Sequence, residues 1–179
     1  MRTRIAVWAA AAGLLAAGVP VSGAATLSER NALESRLVSR INAVRANHRL
    51  RPVRVATRLA TAADRHSRSM ASAAYFRHEL FTPSRDPDWT TFGRWIRWYY
   101  PGPGYTSWSA GENLAWGAPD LTARGTVRRW LESPSHRANL LAPGWRHLGV
   151  AAVHVTAPAG YYGDWDEVTI VVADFGRRS

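Results

Sequence analysis

Two apolar runs near the end of the chain constrain its fold more than any other feature of the sequence. Residues 148–156 and 168–174 are rich in valine and in other small or β-branched residues. The segment 157–164 between them carries the proline, glycine and aspartate typical of a turn. Short β-branched runs on either side of a turn are typical of an antiparallel hairpin. We therefore expect residues 148–174 to contain two paired strands.

Amphipathic helices are predicted ahead of this hairpin. Between residues 28 and 48, apolar side chains recur at spacings of four, four and three residues, which is the stripe of a helix that packs on a core. Pro52 breaks this pattern. Similar signals predict further helical segments at residues 57–74, 120–131 and 135–141. Helices first and strands last, with a further short strand near residues 114–116, predict an α+β layered domain.

The N-terminus has the three parts of a secretory signal peptide. Two arginines precede an apolar run at residues 5–19, and residues 20–25 end in small side chains. The run is shorter than the roughly 20 residues that span a bilayer, and no later run is apolar enough to span one. We expect residues 1–25 to be a cleaved signal peptide. Residues 26–179 would then form a single domain that is secreted, extracellular or associated with the cell envelope.

Composition and charge exclude several classes of function. The chain has no cysteine, so disulfides do not hold it together and no thiol nucleophile exists. The formal net charge is +10, and all 23 basic residues are arginine. These arginines are spread along the chain without a dense stripe, which argues against nucleic-acid binding and leaves attraction to an anionic envelope surface. We expect a monomer.

Three polar residues stand among aromatic, small and apolar neighbours, as in the floor of a pocket. Glu112 lies in the segment 111–117, His136 lies in the segment 130–141, and His78 closes the helix predicted upstream. Two imidazoles and a carboxylate form a ligand set for Zn²⁺ or another divalent cation, with a position left open for water. If folding brings them together, all three are candidate metal ligands. Alternatively, Glu112 and His136 form a structural pair.

Other catalytic signatures are incomplete. His78-Glu79 begins like a zincin helix motif, but Thr82 stands where the second histidine ligand would be. Residues 108–111 resemble the end of a nucleophile elbow, but Ser107 replaces its first glycine. No glycine-rich phosphate loop follows a strand, and we expect no organic cofactor. The remaining histidines have no ligand-like spacing and are expected on the surface or in the core: His48, His66, His147 and His154.

Aromatic residues are dense between residues 79 and 110, where four prolines interrupt the chain. Four apolar residues there have the spacing of one short helix that packs inward. The other aromatic residues of the segment 89–105 are candidates for a binding surface or for a lid over a cleft. The inward-packing residues are Phe92, Trp95, Ile96 and Tyr99.

Several motifs occur in a specific order along the chain. They are Tyr75-Phe76-Arg77-His78, Gly111-Glu112-Asn113-Leu114-Ala115, and the stretch that runs from Trp130 through Ser133-Pro134-Ser135-His136-Arg137-Ala138-Asn139-Leu140-Leu141 to Leu148-Gly149-Val150-Ala151. In order and spacing they resemble the CAP superfamily, which takes in cysteine-rich secretory proteins, insect venom antigens and plant pathogenesis-related proteins. The likeness covers roughly residues 33–175 and is closest to the bacterial secreted branch, which lacks the disulfides.

The resemblance implies an α-β-α sandwich with a central antiparallel sheet and a large cleft. It also implies that two histidines and two glutamates face this cleft, and His78, Glu112 and His136 fall on three of these positions. Ser133 stands where the second glutamate would be, and Glu132 sits one place earlier on a different face of its helix. The tetrad is therefore incomplete, although its three members still permit binding of Zn²⁺ or a similar ion.

Three functions are compatible with these residues and with the resemblance. The first is a secreted, non-enzymatic binding module whose cleft takes a divalent cation, a small ligand or a peptide at the cell envelope. The second is a metal-assisted hydrolase that acts on peptides, with Glu112 as the base. The third is lipid or sterol binding through the aromatic segment 89–105, which resembles an activity of some family members. We favour the first.

Overall fold

The computed structural model describes residues 23–79 and 91–179, and the side chains of its first helix from residue 32 onward. Most of the predicted signal peptide at residues 1–25 lies outside the described residues. The elements are α1 (Gly23–Asn47), β1 (Arg54–Val55), α2 (Thr57–Ser72), α3 (Phe92–Trp95) with a 3₁₀ turn (Ile96–Trp98), β2 (Trp108–Gly117), α4 (Ala123–Glu132), α5 (Pro134–Leu141), β3 (His147–Thr156) and β4 (Glu167–Arg178).

A four-stranded sheet in the order β1-β3-β4-β2 lies in the middle of the molecule. Strands β3 and β4 pair antiparallel along the hairpin, which confirms the prediction for residues 148–174. Strand β2 pairs antiparallel with the other side of β4 and runs for ten residues, well beyond the predicted residues 114–116. Strand β1 was not predicted. It has two residues and pairs parallel with β3.

Helices α1, α4 and α5 cover one face of this sheet. The predicted stripe of α1 is confirmed, because Leu37, Ile41 and Val44 are buried in a cluster with residues of α4, α5 and the sheet. The Thr122 hydroxyl caps α4 by accepting a hydrogen bond from the Gly125 amide at 3.0 Å. Pro134, which begins α5, separates that helix from α4, as the sequence predicted.

Helix α2 covers the opposite face. Its inward residues pack on β3 and β4, and the approach is closest at Gly149 of β3. A methyl group on Gly149 would lie 2.1 Å from the Leu59 carbonyl carbon and 2.3 Å from the Ala60 nitrogen. The absence of a side chain at this position therefore lets the α2 backbone rest directly on the strand.

The short helix α3 and its 3₁₀ turn pack inward, as predicted, and they lie beside α2. Trp95 and Ile96 are buried against Leu59, and Phe92 and Tyr99 are partly buried against the same cluster. Helices thus cover both faces of a mostly antiparallel sheet, which confirms the α-β-α sandwich. Within residues 23–79 and 91–179, no helix combines the length and the apolar character needed to cross a bilayer.

Replacing Gly149 by alanine is expected to destabilise the protein by about 1–3 kcal/mol, since overpacking against backbone atoms cannot be relieved by rotating a side chain. Urea unfolding monitored by circular dichroism measures this change. Gly144→Ala is the matched control, because its methyl group would lie 3.6 Å from the nearest atom, Arg177 Nη1. Equal unfolding free energies for the two variants would contradict the close packing of α2 on β3.

Candidate functional site

Glu112 lies in β2, at the edge of the sheet, with its side chain 1% exposed. Side chains alternate between the two faces of a strand, so Glu112 and Leu114 share the face covered by α2, while Gly111 and Asn113 share the face covered by α5. An ionised carboxylate buried in this way needs partners that compensate for lost hydration. Two histidines and an aspartate surround it.

His66 of α2 is the first partner. Its Nδ1 lies 2.6 Å from Glu112 Oε2, and the residue is fully buried. Trp95 packs edge-on against the His66 ring at 5.0 Å between centroids. The other ring nitrogen, His66 Nε2, is buried and has no hydrogen-bond partner among the described residues. His66 is therefore a core residue, as the sequence allowed, but it also fixes the Glu112 carboxylate.

His78, in the segment after α2, is the second partner. Its Nδ1 lies 2.8 Å from the other Glu112 oxygen, Oε1, and its side chain is 49% exposed. The indole N–H of Trp95 reaches the His78 carbonyl at 3.4 Å. The hydrogen bond to Glu112 raises the His78 pKa, and this effect outweighs the lowering caused by partial burial. The imidazole thus stays oriented by the buried carboxylate while it reaches solvent.

His136 approaches the same place from α5, on the other face of the sheet. Asn113 Nδ2 donates to the His136 carbonyl at 3.0 Å, and Asn139 Nδ2 donates to Asn113 Oδ1 at 3.0 Å. Gly111 makes room for this arrangement, since a methyl group there would lie 2.3 Å from Asn139 Oδ1. The His136 and His78 rings are 6.5 Å apart between centroids. We call the space between these two rings the histidine cleft.

The two imidazoles of the cleft have opposite pKa shifts. The pKa of His136 is lowered, first by burial and then by the charge of His78. Burial favours the neutral ring, whereas the carboxylate beside His78 favours its protonated form. His136 is therefore the ring that presents a free lone pair at lower pH.

Asp174 of β4 stands directly opposite Glu112 in the sheet and is completely buried. Burial raises its pKa well above the usual value, and the charge of the neighbouring Glu112 carboxylate raises it further. Neither Asp174 oxygen has a partner of good hydrogen-bond geometry in the described part of the chain. The proximity of the two carboxyl groups therefore favours a protonated Asp174.

The structure brings His78, Glu112 and His136 to one edge of the sheet. Their arrangement differs from the structural pair of Glu112 and His136 that the sequence also suggested. Glu112 accepts from His66 and His78, and His136 makes no hydrogen bond to it among the described residues. Within residues 23–79 and 91–179, no three His, Asp or Glu side chains form a group that could hold a metal ion as they stand. Direct ligation by all three residues stays a prediction.

Two members of this site were not identified from the sequence. His66 was expected on the surface or in the core, without ligand-like spacing, and Asp174 was placed only at the end of a predicted strand. An acid within an otherwise apolar strand is the signal that could have identified Asp174. Ser133 is the N-cap residue of α5, and the exposed Glu132 side chain lies 3.7 Å from Arg128.

The aromatic segment 89–105 divides between core and surface. Trp95 and Tyr100 are buried, whereas Trp98 and Tyr105 are 64% and 41% exposed. Trp89 lies outside the described residues. Binding of lipid or sterol through this segment stays a prediction.

Asp174→Asn is expected to make stability less dependent on pH. A raised folded-state pKa means that the folded protein holds the Asp174 proton more tightly, so stability falls as pH rises above the unfolded value of about 3.9. Asparagine mimics the neutral carboxyl and removes this loss. Urea unfolding between about pH 4.5 and pH 8 tests it, with the exposed Asp164→Asn as control. An unchanged pH slope in Asp174→Asn would contradict the raised pKa.

Comparison with known proteins agrees with this architecture. The model of the CAP family, described as the cysteine-rich secretory protein family, matches residues 38–175. The uncharacterized protein YkwD of Bacillus subtilis (strain 168) is 31% identical over 127 residues, which are 70% of this chain and 44% of that protein. The chain thus spans less than half the length of this curated relative.

Solved structures share the fold at lower sequence identity. An extracellular protein containing an SCP domain from Bacillus anthracis str. Ames aligns with a TM-score of 0.66 at 23% identity, over 89% of this chain and 45% of that one. An outer surface protein of Borrelia burgdorferi aligns with a TM-score of 0.59 at 22% identity, over 81% and 92% of the two chains. Since the family model matches most of the chain, this protein belongs to the CAP (cysteine-rich secretory protein) family.

Proposed function

We propose that this protein is a non-enzymatic binding module of the cell exterior, and that its histidine cleft binds a divalent cation such as Zn²⁺. The observation that carries this proposal is the hydrogen bond between His78 Nδ1 and the buried Glu112 carboxylate. That bond engages one ring nitrogen and leaves Nε2 as the nitrogen available to an ion. A histidine that binds a metal ion through one ring nitrogen commonly donates a hydrogen bond from the other to a carboxylate.

The donor set fits a borderline cation. His78 and His136 supply imidazole nitrogens, which suit Zn²⁺, and water completes its coordination. Two imidazoles bound to one zinc ion lie about 5–6 Å apart between ring centroids. The observed 6.5 Å separation needs only a small approach, and the half-exposed His78 side chain has room for it. Two protein ligands favour weak, exchangeable binding over a permanent structural ion.

Glu112 acts in this proposal as a positioning residue, not as a base. Both of its oxygens already accept hydrogen bonds from imidazoles, and its side chain is almost fully buried. A general base must lie within hydrogen-bond reach of the water that it activates, which burial of this carboxylate hinders. This geometry supports binding over peptide hydrolysis.

The proposed location rests on two independent observations. The chain starts with the pattern of a secretory signal peptide. Two proteins of the same fold are an extracellular protein and an outer surface protein. A module that binds ions reversibly outside the cell accords with both.

Titration calorimetry with ZnCl₂ tests the metal site. We expect one equivalent to bind, and we expect the His78→Ala/His136→Ala double variant to lose this binding. Glu112→Gln is expected to lower the Zn²⁺ affinity about 10–100-fold, because replacing a group that hydrogen-bonds to a zinc ligand has an effect of that size. His48→Ala is the matched control for a histidine outside the cleft and should bind like the parent.

Two outcomes would contradict parts of this proposal. If the double variant binds Zn²⁺ as the parent does, the histidine cleft is not the site. If Glu112→Gln abolishes binding as completely as the double variant, Glu112 ligates the ion directly and the positioning role is wrong.

Incubation with a mixed peptide library and added Zn²⁺ tests the enzymatic alternative. We expect the library to remain intact by mass spectrometry, because the Glu112 carboxylate is almost fully buried and is held by two imidazoles. Cleavage that disappears in Glu112→Gln would instead establish the hydrolase and overturn the non-enzymatic assignment.

A further inference from the structure

A second surface lies at the far end of β2, apart from the histidine cleft. An open groove of about 560 Å³ there is lined by Ala118, Pro119, Thr156, Trp165, Asp166 and Glu167. We call it the acidic groove. Its aromatic support, Trp116, follows Glu112 by four residues on the same strand, a distance of about 13 Å. The two surfaces are therefore separate, and ligand binding in the acidic groove does not require a metal ion in the histidine cleft.

Trp165 provides an exposed aromatic wall on a fixed base. Its side chain is 51% exposed, and its ring packs edge-on against Trp116 at 6.4 Å between centroids. Trp116 also contacts Tyr161 and Tyr162, at 5.9 Å and 5.4 Å. The Tyr162 hydroxyl in turn donates to the Tyr75 carbonyl at 2.8 Å. This loop between β3 and β4 is thus anchored to the segment after α2, which holds Trp165 in place.

The groove is acidic in a strongly basic protein. Its lining residues lie within residues 98–123 and 147–176, two long stretches without arginine or lysine in a chain of net charge +10. The exposed acids Asp166 and Glu167 line it, and Asp120 lies beside it. A cation in the groove would relieve the repulsion between these neighbouring carboxylates.

The other polar side chains at this end already have partners. His154 lies between two of the acids, with Nδ1 3.7 Å from Asp120 Oδ1 and Nε2 3.5 Å from Glu167 Oε2. Arg129 of α4 donates to the Trp116 carbonyl at 3.1 Å. In contrast, the Asp166 carboxylate has no hydrogen-bond or ion-pair partner within the described residues. Asp166 is therefore the acid most open to a ligand.

We propose that the acidic groove binds an arginine side chain of a basic peptide. A guanidinium group stacks on an indole ring and donates two parallel hydrogen bonds to a carboxylate, and Trp165 and Asp166 are adjacent in the chain. The methylene stem of arginine packs on apolar surface, which Ala118 and Pro119 supply. An ammonium group pairs with the carboxylates but stacks less well, so arginine is preferred over lysine.

Calorimetric titration with acetyl-Arg-Arg-Arg-amide tests this proposal, with acetyl-Lys-Lys-Lys-amide as the comparison peptide. Binding of the arginine peptide should be tighter, and it should weaken as salt rises from about 50 to 150 mM because the groups are exposed. Trp165→Ala should weaken it about twofold to thirtyfold, the range of a cation–π contact. The Asp166→Asn/Glu167→Gln variant should weaken it about fivefold, the effect of removing two exposed charge pairs.

Matched controls are available elsewhere on the surface. Trp98→Ala removes another exposed tryptophan, and Glu132→Gln removes an exposed acid of α4. Both should bind the arginine peptide as the parent does. The Asp166→Asn/Glu167→Gln variant tests the proposal even if Trp165→Ala fails to fold.

Three outcomes would overturn the proposal. The first is the absence of saturable binding, or affinities that the groove variants leave unchanged. The second is tighter binding of a neutral oligomer of N-acetylglucosamine than of the arginine peptide, which would make the groove a sugar site. The third is dimerisation in sedimentation equilibrium that Asp166→Asn/Glu167→Gln abolishes, in the absence of peptide binding, which would make a second copy of this chain the occupant.

Discussion

The buried Glu112 carboxylate is the interaction on which the arrangement around it depends. A carboxylate that is removed from water at a sheet edge requires hydrogen-bond donors, and two imidazoles supply them from α2 and from the segment that comes after it. His66 reaches Glu112 only because α2 lies against the sheet, and α2 lies that close only because Gly149 has no side chain. A glycine in β3 thus controls the geometry of a carboxylate in β2.

Strand β2 connects this packing to the two proposed sites, because its side chains alternate between the two faces of the sheet. Glu112, Leu114 and Trp116 share the face covered by α2, whereas Gly111 and Asn113 contact α5. One face therefore carries the carboxylate of the histidine cleft and the aromatic support of the acidic groove. The other face holds His136 through Asn113 and Asn139. Because β2 is an edge strand, groups from both faces can meet around it, which a central strand would not permit.

The sequence predicted the helices and strands better than the contacts between them. The periodicity of α1, the proline that begins α5 and the valine-rich hairpin each depend on residues close together in the chain, and each was confirmed. The contact between His66 and Glu112 joins residues 46 positions apart, so local sequence patterns do not predict it. The position of Asp174 opposite Glu112 depends on the register of β2 against β4, which only the folded sheet determines. The two-residue β1 was missed because its pairing depends on the exposed edge of β3.

Both proposals require that a protein of net charge +10 attract cations locally. At physiological ionic strength, salt screens the interaction between exposed charges that are more than about 8 Å apart. Arginines farther than this from the acidic groove therefore contribute little to its electrostatic potential. The carboxylates there, Asp166 and Glu167, act at contact distance on any ligand. The Glu112 charge is screened less because its side chain is buried, and it acts directly on the His78 imidazole. The loop between β3 and β4 carries no arginine, and Arg129, which reaches β2, is held by the Trp116 carbonyl, so local charge in the acidic groove can prevail over net charge.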